Sequence, residues 1–319
     1  MTEFKNIYIA ACDENGGIYH YKTDGENIVF CEKTDLRYPM YMEILNNKMY
    51  VIVRDGENSK DSAYCTFDIT DDASLVNRSD FTSTLGEVAC HLCVNGDTVY
   101  AANYISGSVF MSPDKADIHS GTGVNLPRQD KPHCHFTALT PDGKYVLSCD
   151  LGLDTIFTYD LSLNVVSTAK VPEGSGCRHL AFSDDGKHVF CVNELSSDVS
   201  VFKYNDGHLN YLSTYPALPA DFKKKNTAAA IRVNKGYLYV SNRGHNSIAV
   251  FKICGDVLEP AELYSCRGEG PRDININGDL LFSTNEQTND VTLFKIKDGK
   301  PEFIKVLDTM PDPLCVIFN

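Results

Sequence analysis

Two stretches of this chain read as copies of one another: Cys134-His135-Phe136-Thr137-Ala138-Leu139-Thr140-Pro141-Asp142-Gly143-Lys144-Tyr145-Val146-Leu147-Ser148-Cys149-Asp150 and Cys177-Arg178-His179-Leu180-Ala181-Phe182-Ser183-Asp184-Asp185-Gly186-Lys187-His188-Val189-Phe190-Cys191-Val192-Asn193. They begin 43 residues apart. Each is an apolar run, a turn carrying Asp-Gly, and a second apolar run that stops at Asp or Asn. Asp-Gly between runs of β-branched and aromatic residues is hairpin chemistry, because glycine supplies the positive φ that a tight turn needs. Nine residues beyond Asp150 and Asn193 stand Tyr159 and Phe202.

The pattern recurs in residues 90–110, 227–251 and 270–294, with turn glycines Gly96, Gly236 and Gly278 and markers Asn103, Asn242 and Asn285. Phe251 and Phe294 repeat the aromatic nine residues past the marker. A weaker copy occupies 39–67, turning at Asn46-Asn47. A seventh is split: Ile7-Tyr8-Ile9-Ala10 and Gly17-Ile18-Tyr19-His20 lie at one end of the chain and Pro313-Leu314-Cys315-Val316-Ile317-Phe318 at the other. A strand-rich repeat of roughly 42 to 51 residues has the length of a propeller blade and not of a helical solenoid unit. The expected fold is all-β: one domain over 1–319, a seven-bladed β-propeller of four-stranded antiparallel blades. Its N- and C-terminal strands share a blade, which closes the ring and leaves no sheet edge open. With no Trp in the chain, the WD-repeat and Kelch kinds fit poorly.

Hydrophobic residues at 43% and charged residues at 23% are ordinary for a globular protein with a sizeable core. No apolar run approaches the length that spans a bilayer, and Met1-Thr2-Glu3-Phe4-Lys5 lacks the basic-then-apolar order of an export signal, so a cytoplasmic location is expected. A formal charge of −14 excludes broad contact with nucleic acid or anionic membranes while leaving room for one local basic pocket. Twelve cysteines in a long chain read as small buried apolar residues. Cys90 and Cys93 form the one CxxC, and with no second pair at zinc-site spacing neither a metal nor another cofactor is expected.

In a blade the first strand is innermost and the second runs back beside it. The start of the first and the end of the second therefore meet at one mouth of the channel. The first column holds His91, His135, Arg178 and Arg272; the second, just past the Asn or Asp marker, holds Tyr104, Leu151, Glu194, Arg243 and Glu286. Packing alone would favour similar apolar residues at equivalent positions. These positions diverge instead into cations, imidazoles and carboxylates, the composition of a site for a small anionic substrate and for acid–base work. His133, two residues before His135, is expected to face the same side and to touch substrate. His179 points the other way in a strand and reads as structural. Each arginine could instead brace a carboxylate such as Glu194 or Glu286, but three at one mouth call for an anion or several acids. Lys223-Lys224-Lys225 is either a solvated loop or one that leans over the mouth with Lys225 as a substrate contact. The regular Asn and Asp markers read as turn residues.

With these residues assembled, the chain resembles the lactonase family of seven-bladed propellers, which includes a bacterial 6-phosphogluconolactonase and carboxy-cis,cis-muconate cyclases. The resemblance spans nearly the whole chain. It rests on Cys134-His135 before Thr140-Pro141-Asp142-Gly143, Cys177-Arg178-His179 leading to Cys191-Val192-Asn193-Glu194-Leu195, Tyr239-Val240-Ser241-Asn242-Arg243-Gly244-His245, and Gly270-Pro271-Arg272. It implies a catalytic set of His135, Arg178, Glu194 and Arg243; the expected substrate contacts, read from the residues themselves, are His133, His91, Arg272, Glu286 and Lys225. The implied reaction is opening of 6-phospho-glucono-1,5-lactone in the pentose phosphate pathway, with His135 or Glu194 as base. Muconate cyclisation and a non-catalytic scaffold are the rival readings. One departure is Cys177, where the family more often has Pro.

Overall fold

The computed structural model of the chain describes residues 5–24, 27–54 and 62–319; the first four residues, which enter the reading of the N-terminus, lie outside it. Seven antiparallel sheets stand around a central channel. Blades 1 to 7 are numbered here by their inner strands: Pro39–Leu45, Ala89–Asn95, Cys134–Leu139, Cys177–Phe182, Thr227–Asn234, Pro271–Asn277 and Pro313–Phe318. Each blade has four strands in order, and in blades 1 and 5 the outer strand is broken into two short pieces. In blade 7 the C-terminal strand pairs with Lys5–Ala11, followed outward by Gly17–Thr23 and Ile28–Asp35, so the two chain ends share a sheet as the split repeat required.

The core lies between blades. One aromatic from the third strand of every blade is almost fully buried: Tyr21, Phe67, Phe110, Tyr159, Phe202, Phe251 and Phe294. Each packs against the preceding sheet. Phe202 of blade 4, for example, lies with Leu147 and Cys149 of blade 3. Burying such a side chain contributes roughly 1.5–3 kcal/mol, and the repeat applies this wedge at every interface. The Asn markers satisfy buried polar groups: Asn193 donates to Ser200 Oγ at 2.9 Å and Asn285 to Thr292 Oγ1 at 3.1 Å.

Asp150 breaks the Asn rule for a visible reason. Its Oδ2 meets His119 Nδ1 at 2.6 Å, and its Oδ1 accepts the His133 amide at 2.8 Å. His119 Nε2 reaches the Tyr159 hydroxyl at 2.6 Å. With Cys134, these side chains form the one set of three possible metal ligands within mutual reach among the described residues. Both ring nitrogens of His119 are already taken by hydrogen bonds. The network therefore pins the chain leading into His135.

Candidate active site at the channel mouth

Every inner strand carries a β-bulge near its start. Pairing with the second strand skips Met40, Cys90, His135, Arg178, Arg272 and Leu314, and in blade 5 it skips both Ala229 and Ala230. A bulge leaves its extra residue out of the ladder and re-aims its side chain. Six of these residues surround a small cavity of about 20 Å³ on the axis. In blade 5 Ala229 and Ala230 together stand opposite Ser241, again one residue in excess, and the Ala229 carbonyl accepts from Arg178 Nη1 at 2.7 Å.

Above this layer opens a cavity of about 750 Å³ lined by His135, Glu194, Arg243, Arg272 and Glu286, and also by Arg54, Arg128, Lys225 and Tyr104. Glu194 is its hub. Its carboxylate meets Arg128 Nη2 at 2.6 Å, Arg178 Nε at 3.0 Å and Arg243 Nη2 at 3.0 Å. Glu286 sits 3.3 Å from Arg272 Nη1 and 3.8 Å from Arg243 Nη1. Burial works to raise the Glu194 carboxyl, yet Arg243, Arg178 and Arg128 together hold it well below the usual carboxylate range. Burial, then Arg178, drives the His135 imidazole well below its ordinary value, so the ring is neutral. Burial and the neighbouring Arg243 and Arg272 bring Arg178 down to about 9, which leaves it charged at neutral pH.

Comparison with known proteins agrees with the fold. Residues 6–318 match the family described as Lactonase, 7-bladed beta-propeller. The chain belongs to the lactonase family of seven-bladed β-propellers. An uncharacterised protein of Staphylococcus saprophyticus is 32% identical, with 96% of each chain covered. A solved structure from Lactobacillus plantarum superposes with a TM-score of 0.91 at 27% identity, covering 99% of this chain and 100% of that one. A provisionally assigned 6-phosphogluconolactonase from Bacteroides fragilis gives 0.90 at 26% identity, covering 99% and 98%.

Within this lactonase propeller, His135, Glu194, Arg243, Arg272, Glu286 and Lys225 all reach the mouth as expected. Arg178 does not line it. Its side chain lies beneath the floor, with its donors given to Glu194, Ala229 and His179. His133 is also displaced: its ring stacks on Tyr104 with centroids 4.5 Å apart, and its Nδ1 donates to the Tyr104 carbonyl at 3.0 Å, so it buttresses a lining residue.

His91 was assigned to the wrong column. The bulge in blade 2 falls on Cys90, so Cys90 holds the place of His135 and Arg178, while His91 lies one residue further along and lines the opposite half of the channel. The signal was present in the sequence, since Cys90 precedes Gly96 by six residues just as Arg272 precedes Gly278. His179 is buried, with its ring 5.2 Å from that of His135. Cys177 fills the place expected for Pro with a thiol that donates to the Asp150 carbonyl at 3.1 Å.

Two cations escaped the repeat-based reading. Arg128 comes from the long connection after blade 2, which has no counterpart in the other blades, and Arg54 ends the second strand of the weakest copy. Gly244 explains how Lys225 arrives. With φ +118°, and a Cβ there only 2.4 Å from the Lys225 carbonyl oxygen, only glycine lets the loop 217–226 close on this strand end. Six cationic side chains thus face or floor the cavity beside Glu194 and Glu286, and Lys225 and Arg54 have no carboxylate partner among the described residues. No helix among the described residues is long and apolar enough to cross a membrane.

Proposed function

We propose that this protein hydrolyses a phosphorylated sugar lactone, 6-phospho-glucono-1,5-lactone, to 6-phosphogluconate. The observation that carries the reading is a cavity where six cationic side chains face or floor the space beside two carboxylates, in a chain of net charge −14, next to a neutral buried imidazole. Such a mouth concentrates an anionic substrate that the rest of the surface repels.

His135, neutral and lining the cavity, takes a proton from the water that attacks the ring carbonyl. Glu194 is too tightly held by arginines to serve as that base. Arg243 and Arg272 stabilise the oxyanion as it forms, and the proton then passes from His135 to the departing ring oxygen. Arg178 fixes Glu194 and, through it, Arg128 and Arg243. Lys225 and Arg54 are free to pair with the substrate's phosphate. The similar structure from Bacteroides fragilis, provisionally assigned as a 6-phosphogluconolactonase, supports this reading. A cytoplasmic setting, where such a substrate of the pentose phosphate pathway is found, accords with twelve cysteines all outside disulfides.

The test compares freshly generated 6-phosphogluconolactone with unphosphorylated glucono-1,5-lactone. Turnover of the first well above its spontaneous rate is expected, with Lys225→Ala or Arg54→Ala raising KM for the phosphorylated substrate alone. Hydrolysis no faster than background sinks the proposal, and equal effects on both lactones remove the phosphate from it.

A further inference from the structure

We propose that the opposite mouth of the channel is a second ligand site, for a small organic cation with an apolar body, held between the Glu43 carboxylate and the rings of Tyr41 and Phe136. The site is a separate cavity of about 440 Å³ that shares no lining residue with the active-site cavity. It is built from the far ends of five inner strands. Leu139, Leu180, Phe182 and Val233 supply an apolar side to a cavity that also carries Glu43, His91, Thr137 and Arg232. The layer of bulged side chains closes it off from the lactone site, since the cavity within that layer has room for about one water.

Two polar groups in this wall are under-satisfied. Glu43 receives only the Val94 amide, at a long 3.4 Å, and no Lys, Arg or His nitrogen lies within ion-pair distance of it among the described residues. Burial raises its carboxyl to about 7. Its situation is the reverse of Glu194, which has three guanidinium partners. The other group is His91. Its Nδ1 accepts the Thr137 amide at 3.5 Å, which leaves Nε2 as an N–H that is buried without a partner.

The remaining charge of the cavity, Arg232, is already committed to Asp273 at 2.8 Å and Asn275 at 3.2 Å. It therefore offers little to an anion. An unpaired carboxylate in an apolar wall gains most from a cation, and aromatic faces within reach add cation–π attraction. The His91 ring packs at a tilt against Tyr41, with centroids 3.9 Å apart, and against Phe136, 4.3 Å apart, which holds those rings in place beside the cavity.

The probe is benzylammonium, with benzyl alcohol as its neutral counterpart and phenylacetate as the anion. Binding is followed at pH 8 by calorimetry and ligand-observed NMR, with lactone turnover measured in parallel. Benzylammonium is expected to bind at least tenfold more tightly than either counterpart. Glu43→Gln should remove that preference while leaving lactone turnover unchanged. Ala138→Trp, which fills the mouth of the cavity, should abolish binding and covers the case in which the Glu43 variant folds poorly. Equal binding of amine and alcohol, or amine binding that survives both substitutions, overturns the proposal. None of these outcomes depends on whether the front cavity acts on a phosphorylated lactone.

Discussion

Replacing Glu194 by Gln separates a charge hub from a general base. The substitution keeps the shape but removes the carboxylate that neutralises Arg128, Arg178 and Arg243 at 2.6–3.0 Å. Arg178 is fully buried and pairs with no other acid among the described residues. Stripping a buried charge of its partner costs about 3–5 kcal/mol. For 319 residues, an unfolding entropy of about 2.1 cal/mol/K per residue converts this into a drop of about 5–7 °C in Tm.

The effect has a pH sign. The folded Glu194 carboxyl is held below its unfolded value, so its contribution is complete above the ordinary carboxylate range and fades as pH falls through the folded value. The gap between wild type and variant should therefore narrow in acid. Inorganic phosphate, which can stand in for the lost charge, should recover more Tm in the variant than in the wild type. Differential scanning calorimetry at pH 7 and pH 4, with and without phosphate, reads all three effects. A variant that melts within about 1 °C of wild type yet loses about 10²–10⁴ in kcat would refute the hub and make Glu194 the base.

Two further outcomes follow from the same geometry. Because burial and Arg178 disfavour the imidazolium of His135, the acid limb of kcat/KM should lie below the usual histidine range near 6.5, with activity held as pH falls from 7 through 6. His135→Ala should lower kcat by about 10²–10⁴ and remove that limb; a limb at or above 6.5 in the wild type counts against His135 as the base. Gly244→Ala, strained at φ +118° and blocked by the Lys225 carbonyl, should displace the loop 217–226. Its expected signature is a KM for phosphorylated lactone raised as far as by Lys225→Ala, with kcat nearly kept; an unchanged KM shows that the loop does not carry the contact.

The sequence made the blades visible because hairpin glycines, markers and wedge aromatics answer to local and nearest-neighbour rules that every repeat must obey. Phe202 and Phe251 have the same task, so they have the same spacing. The site was visible only where the repeat was interrupted on schedule, as at His135, Glu194, Arg243 and Arg272. His91 shows where that method fails. A bulge is set by how a strand fits around the axis, and a hairpin shorter by two residues moved the bulge to Cys90. Counting back from the turn glycine, six residues in the shorter hairpins and eight in the longer ones, places Cys90 with Arg272 where aligning on Cys-His does not. Arg128 marks the other boundary. It lies in a connection belonging to no repeat, and its role comes from the 2.6 Å contact with Glu194, which is 66 residues away in the chain. Arg178 was found by its column, but burial decided its part: a guanidinium with its donors already given to Glu194, Ala229 and His179 can organise the acids and bases above it without meeting the substrate.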